Sequence, residues 1–118
     1  MFVNFTNHPS EKWDRDQLNV ASEYGEIVDI PFPEVDPAAG EDEIERLAEV
    51  CVDKITEMKP DCVLCQGEFC LTYKVVSILK ERGVKVVAAC SKRAAIENEV
   101  GGKNVRVSYF QFVQFRPF

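Results

Sequence analysis

The sequence predicts a single three-layer α/β domain, in which four parallel strands are extended by a C-terminal β-hairpin. Apolar runs alternate with amphipathic segments in the order strand–helix–strand–helix–strand–helix–strand, which implies a parallel sheet with right-handed crossovers. The chain has 118 residues, a length that fits one hydrophobic core, so residues 1–118 are expected to form one domain. Near the C-terminus, segments of alternating polarity flank Gly101-Gly102, which is typical of a hairpin with a two-residue turn.

The N-terminal half contains two strands and two helices. The first strand is expected in "MFVNF", and the turn-rich "TNHPS" follows it, where Ser10 can cap a helix over "EKWDRDQLNVASEYG". The second strand, "EIVDIPF", ends at Pro31 and Pro33. The second helix, "EDEIERLAEVCVDKITEMKP", has apolar residues at three- and four-residue steps and acidic residues in its first turn.

The C-terminal half contains two buried strands, a helix and the hairpin. "DCVLCQ" and "VKVVAAC" are apolar nearly throughout, as expected for strands that are covered on both faces. The helix "LTYKVVSILKERG" lies between them and ends at Gly83. The hairpin is expected from "AIENEV" to "KNVRVSYFQFVQF", a segment rich in aromatic residues.

Composition and charge limit the classes of function. Hydrophobic residues make up 46% and charged residues 29% of the chain, which is the balance of a soluble globular protein. The formal net charge of −6 argues against a protein that coats duplex nucleic acid, but a local Lys/Arg cluster can still hold a small anion. No apolar run is long enough to span a bilayer, and the N-terminus lacks a basic leader, so we expect a cytoplasmic protein without membrane association.

The chain has five cysteines, an odd number that does not indicate a disulfide framework. Cys62 and Cys65 have the C-x-x-C spacing of a metal or redox pair. In an extended strand, however, their side chains point to opposite faces, and neither a second such pair nor a downstream histidine completes a zinc site. We therefore expect small buried hydrophobic residues rather than a metal site.

Three polar joints are candidates for a ligand site, because ligands of open parallel sheets bind beyond the carboxyl ends of the strands. If the first and third strands are neighbours, the joints that follow them face one crevice. The joints after the first, third and fourth strands are Thr6-Asn7-His8, Gln66-Gly67-Glu68 and Ser91-Lys92-Arg93.

The third-strand joint has two interpretations. Gly67 allows a backbone geometry that a Cβ atom would resist, the amides of the following helix can attract phosphate, and Thr72 can donate a hydroxyl. Glu68 repels phosphate, but it can bind a ribose hydroxyl or an adenine amino group, or accept a proton. The alternative is that residues 66–69 form only a tight turn with a helix cap.

The other two joints contain a histidine and a cation pair. His8 is the single histidine of the chain, and histidine can exchange a proton near neutral pH; a lone histidine in a turn can equally be structural or simply exposed. Lys92 and Arg93 follow an apolar strand beside Ser91. Such a pair usually forms a solvated surface, but here it is the best-placed cation cluster of an acidic protein.

Several motifs in the last sixty or so residues resemble a known family. "VLCQGEFCLTYKVV", "VVAACSKR" and "FQFVQFRPF" are similar to the small CRISPR-associated ring nucleases of type III systems, in their compact Csx-type branch. "VNFTNHPS" is a weaker match, and residues 17–59 match only as helix, strand and helix.

The resemblance implies a Rossmann-like fold related to cyclic-oligoadenylate sensor (CARF-like) domains. It implies a homodimer that binds cyclic oligoadenylate, with the four-membered ring favoured, across its two-fold axis. It also implies cleavage to linear products, which switches off antiviral signalling. The attacking group would be a ribose 2′-hydroxyl, so neither a metal nor another cofactor is expected.

The resemblance also suggests roles for the residues of the joints. Lys92 and Arg93 are expected to stabilise phosphate, and His8 or Glu68 to transfer the proton. Further ligand contacts are expected from Asn7, Gln66, Gly67, Phe69, Thr72, Ser91 and Arg116. Two alternatives remain: a sensor or sponge that binds the same ligand without cleaving it, and a structural interaction protein whose aromatic tail forms a dimer surface.

Overall fold

The computed structural model describes residues 1–118 as a mixed α/β protein with one five-stranded sheet. The strand order is β2-β1-β3-β4-β5; the first four strands are parallel, and β5 is antiparallel to β4. The expected mostly parallel sheet is confirmed, and so is the adjacency of β1 and β3. The strands are β1 (Phe2–Phe5), β2 (Ile27–Asp29), β3 (Cys62–Cys65), β4 (Val86–Val100) and β5 (Lys103–Pro117).

Three α-helices connect the parallel strands: α1 (Arg15–Ser22), α2 (Glu41–Glu57) and α3 (Phe69–Glu81). The expected start of the first helix at Ser10 is wrong, because a short 3₁₀ helix, Ser10–Lys12, comes first. Ser10 donates its hydroxyl to Asp29 Oδ2 at 3.0 Å instead of capping α1. Asp14 is the cap, since its Oδ1 accepts the Gln17 amide at 2.9 Å.

The two faces of the sheet are both covered. Alternate strand residues such as Val63 and Val86 pack with α2 and α3 in a core cluster of 15 buried residues. Leu64 and Val87 point the other way, into a cluster of 6 buried residues that includes Ala21 of α1. The chain therefore forms three layers, with α2 and α3 on one face and α1 on the other.

The C-terminal hairpin is much longer than the sequence predicted. We expected β4 to end at Cys90, but it continues to Val100 because β5 pairs with it from Val87 to Val100. Pairing between β3 and β4 covers only two residue pairs, so the outer part of the hairpin, residues 91–112, extends away from the sheet; we call it the β-arm. The radius of gyration is 16.9 Å, against about 13.5 Å for a compact domain of this length.

A β-bulge lies at the base of the β-arm. Cys90 pairs with Gln114 and Ser91 pairs with Phe112, which leaves Val113 without a partner. The extra residue keeps Phe112 and Phe115 on the same side of the sheet, where their ring centroids are 4.8 Å apart. None of the three α-helices has both the length and the apolar composition needed to cross a membrane.

Candidate functional site

A cavity of about 750 Å³ lies at the carboxyl edge of β1 and β3, beside the base of the β-arm. The sequence predicted that the joints after these two strands face one crevice, and this geometry is confirmed. The residues that line the cavity are Thr6, Asn7, His8, Lys12, Trp13, Asp14, Gln17, Leu64, Gln66, Gly67, Ala89, Ser91, Phe110 and Phe112.

A buried hydrogen-bond network fixes the backbone around His8. The side-chain amide of Asn4, which is fully buried, donates to Asp29 Oδ1 at 2.9 Å and to the His8 carbonyl at 3.0 Å. The Asn4 side-chain oxygen accepts the Thr6 hydroxyl at 2.8 Å, and Trp13 Nε1 donates to the same His8 carbonyl at 3.0 Å. The His8 side chain is left exposed on a rigid support at the cavity wall.

The Gln66 side chain connects β3 to β4 where these strands diverge. Its Nε2 donates to the Ala89 carbonyl at 3.4 Å, and its Oε1 accepts the Ala89 amide at 3.1 Å. The last backbone pair between the two strands is Leu64 with Val87. Beyond this pair the Gln66 side chain, and not the backbone of β3, forms the hydrogen bonds to β4. Its side-chain amide is therefore already bonded to backbone, and the geometry favours a role in shaping the cavity over the expected contact with the ligand.

Gly67 is needed for close packing rather than for an unusual dihedral angle. Its φ is not positive, but a Cβ atom would lie 2.6 Å from three ring carbons of Phe32. The Phe32 ring is buried and packs against Phe5 with centroids 4.9 Å apart. The absence of a side chain at Gly67 thus lets the cavity wall close over an aromatic pair.

Glu68 caps helix α3, as predicted by the interpretation of residues 66–69 as a tight turn with a helix cap. Its carboxylate accepts the Leu71 amide at 2.7 Å and the Cys70 amide at 3.0 Å, and these hydrogen bonds lower the pKa of Glu68. The amides expected to attract phosphate therefore already have an anionic partner. Phe69, which is 89% exposed, and Thr72, whose buried hydroxyl has no partner, lie outside the cavity lining.

The structure separates the three residues of the Ser-Lys-Arg motif. They lie within β4 and not in a joint after it, so Ser91 lines the cavity while Lys92 points to the opposite face. Arg93 lines a second cavity of about 470 Å³ on the β-arm, together with Arg106. Arg116 pairs with Ala88 in the sheet and does not line the main cavity either.

Sequence reasoning missed the cation and the aromatic wall of the cavity. Lys12 is the one Lys or Arg in the lining, and it forms no ion pair. Phe110, which is 75% exposed, and Phe112 form a wall from the β-arm. Asp14 holds this wall in place, because its Oδ2 accepts the Phe112 amide at 3.3 Å. Lys12 follows the end of β1 closely along the chain, and this was the sequence feature that could have identified it as a residue of the cavity.

The C-x-x-C pair behaves as the strand geometry predicted. Cys62 and Cys65 are both buried, and they belong to core clusters on opposite faces of the sheet. Burial raises the pKa of both thiols, and that of Cys65 to about 12, so neither forms the reactive thiolate readily. No three His, Cys, Asp or Glu side chains come together in a group that could hold a metal ion.

The fold and cavity define a class: a mixed α/β protein with a polar and aromatic cavity at the carboxyl edge of its parallel strands. Residues 1–116 match the model of the Uncharacterized protein MJ1673 family, and the chain belongs to that family. No curated protein and no solved structure matches the chain.

Proposed function

We propose that the protein is a ring nuclease, which binds cyclic oligoadenylate in the 750 Å³ cavity and cleaves it without a metal ion. The resemblance to type III CRISPR-associated ring nucleases suggests this activity. The observation that supports it best is the composition of the cavity, which combines an imidazole (His8), an unpaired ammonium (Lys12) and an exposed aromatic ring (Phe110).

Each group in the cavity matches one part of a nucleotide. The Lys12 ammonium can bind a phosphate, since it forms no ion pair, although the Asp14 carboxylate lines the same cavity. The Phe110 ring can stack on adenine, an interaction worth about 1–3 kcal/mol per base. Asn7 and Ser91 supply hydrogen-bonding groups for ribose and base edges.

The reaction that fits these groups is an internal transfer at phosphorus. The ribose 2′-oxygen attacks the adjacent phosphorus, the bond from phosphorus to the 5′-oxygen breaks, and the products end in a 2′,3′-cyclic phosphate and a 5′-hydroxyl. His8 takes the proton from the 2′-hydroxyl or delivers one to the leaving 5′-oxygen, and Lys12 stabilises the charge on phosphate. The fixed backbone of His8 favours the positioning that such a reaction needs.

The proposal includes a homodimer, because a four-membered ring of identical nucleotides has two-fold symmetry and a symmetric dimer presents the same cavity twice. It also includes the relation of the fold to CARF-like domains and a cytoplasmic role in ending antiviral signalling. Lys12 replaces Lys92 as the lysine nearest the chemistry, because Lys92 lies on the other face of β4.

Incubation with cyclic tetra-adenylate, followed by chromatography and mass spectrometry of the products, tests the function. We expect 2′,3′-cyclic phosphate ends, formed equally well in EDTA. His8→Ala should reduce the cleavage rate about 10²–10⁴-fold with a smaller effect on binding. Lys12→Ala should weaken binding and cleavage together, while Lys92→Ala, a lysine outside the cavity lining, serves as its matched control.

Three outcomes would contradict parts of the proposal. Activity that stops in EDTA and returns with magnesium or manganese would overturn the mechanism. Tight binding without products would favour the sensor or sponge. The absence of any thermal shift with cyclic or linear adenylates would leave the structural interaction protein as the better reading.

A further inference from the structure

The main cavity has a buried inner end and an exposed rim. The rim carries the imidazole of His8 and the ammonium of Lys12, both on exposed residues. Four of the lining residues are buried, and we call them the inner end: Trp13, Gln17, Leu64 and Phe112. The inner end is therefore apolar and aromatic except for one carboxamide, whereas the charged groups lie at the rim.

The carboxamide of Gln17 has no partner in the protein. Gln17 is 8% exposed, yet its side-chain oxygen and nitrogen form no hydrogen bond and both remain accessible from the cavity that the residue lines. Its backbone amide, by contrast, is bonded to the Asp14 side chain. Glutamine is seldom buried, and buried polar side chains are nearly always hydrogen-bonded. An unpartnered carboxamide in this position indicates a group that binds from the cavity.

The other polar groups around the inner end already have partners. Trp13 Nε1 donates to the His8 carbonyl at 3.0 Å, and the Phe112 amide donates to Asp14 Oδ2 at 3.3 Å. Gln17 is therefore the one side chain of the inner end whose donor and acceptor are both free to bind a ligand.

The surroundings of the carboxamide match a planar heteroaromatic ring. Phe110 lies two residues before Phe112 and lines the same cavity, so an aromatic wall runs from the rim to the inner end. Trp13 and Leu64 add further apolar surface. A ring that enters along this wall stacks on aromatic side chains and meets a single hydrogen-bonding group. A phosphate would find no cation there, so the inner end fits a nucleotide base.

We propose that Gln17 recognises the base of the bound nucleotide and that this base is adenine. A carboxamide has one acceptor oxygen and a donor nitrogen, so it binds an edge that places a donor beside an acceptor. The 6-amino group of adenine donates to Oε1 while the neighbouring ring nitrogen accepts from Nε2. Guanine would also bury O6 and a 2-amino group, and the inner end has no second free polar side chain to pair with them.

This inference rests on the proposed function, because it takes the ligand to be an adenine nucleotide, and it adds the residue that selects the base. With the base at the inner end, the ribose and phosphate lie towards the rim, where His8 and Lys12 are. Gln17 does not touch the reacting atoms. Its effect is on selectivity, since a ligand that lacks the matching group leaves the buried carboxamide unpaired.

Binding of mononucleotides, followed by NMR titration, tests the assignment without any cleavage step. The probes are AMP, GMP and purine riboside 5′-monophosphate, which is AMP without its 6-amino group. The wild-type protein should bind AMP about 5–150-fold more tightly than the purine analogue. Gln17→Met keeps the length and apolar stem of the side chain but removes both hydrogen-bonding groups, so this ratio should fall to near 1.

Two further variants control the experiment. Gln114→Met makes the same change at an exposed glutamine of β5 outside the cavity lining, and it should leave the ratio unchanged. Gln17→Asn keeps the amide but withdraws it by one methylene group, so it should lower the ratio. Circular dichroism shows whether each variant is folded, and the comparison of the three nucleotides on the wild-type protein needs no variant.

Each outcome decides the inference. A ratio that is unchanged in folded Gln17→Met, GMP binding as tightly as AMP, or no binding of any of the three nucleotides would overturn it. If cyclic tetra-adenylate is cleaved while Gln17→Met keeps the wild-type ratio, the proposed function stands and this inference fails. If the ratio depends on Gln17 but cyclic tetra-adenylate is not cleaved, this inference is supported and the proposed cleavage fails.

Discussion

The contact between Gly67 and Phe32 gives a prediction with a calculable size. In Gly67→Ala, the new Cβ atom would lie 2.6 Å from three ring carbons, about 1 Å closer than the optimal separation of carbon atoms. Phe32 is 4% exposed and packs on Phe5, so the ring has little room to move. Overpacking of this kind costs about 1–3 kcal/mol. For a chain of this length each kcal/mol lowers Tm by about 4 °C, which gives a decrease of about 4–12 °C.

Urea and thermal unfolding followed by circular dichroism measure this loss, and a double-mutant cycle identifies its cause. In a Phe32→Leu background the ring is gone, so Gly67→Ala should cost less, with a coupling of about 1 kcal/mol or more. Gly40→Ser provides a control, because it adds a Cβ atom where nothing lies within 4 Å and serine is a preferred N-cap residue. An unchanged free energy of unfolding in Gly67→Ala, or the same loss in both backgrounds, would refute the steric explanation.

Three further predictions concern other parts of the site and core. Because the pKa of Glu68 is lowered in the folded protein, its ionised carboxylate stabilises the fold at pH values above the ordinary titration range of glutamate. This stabilisation is lost as the pH falls through the lowered pKa. The difference in Tm between wild type and Glu68→Gln should therefore be largest near neutral pH and disappear in acid; a constant difference would contradict the cap. In the native protein iodoacetamide should modify the exposed Cys70 but not the buried Cys65. Modification of Cys65 before Cys70, measured by mass spectrometry of the digested protein, would contradict this expectation. Asn4→Ala should lower the free energy of unfolding by about 1–3 kcal/mol, because it leaves buried hydrogen-bonding groups unsatisfied. It should also slow any cleavage that depends on His8. An unchanged free energy of unfolding in urea would show that the network does not stabilise the fold.

Side-chain assignments at the joints were predicted less well than the joints themselves. The sequence located the third-strand joint, but the partners of its side chains could not be read from residue type. Gln66 bonds to Ala89, 23 residues away, and Gly67 packs under Phe32. Glu68 is the exception, since its bonds to Cys70 and Leu71 are local, and the helix-cap interpretation drawn from the sequence describes it correctly.

The sequence by itself determined the order of elements, the mostly parallel sheet and the edge at which the cavity opens. These follow from hydrophobic periodicity and from the rule that parallel strands end at one edge, and both are properties of short segments. The tertiary structure alone decided that Lys12 and Phe110 line the cavity while Lys92 does not, and that β4 continues into the β-arm, where most of its residues are exposed. Strand length and side-chain direction there depend on pairing with β5, whose residues bond to β4 across the turn. Such pairing is a contact between two segments, so it cannot be predicted from the hydrophobic pattern of either segment alone.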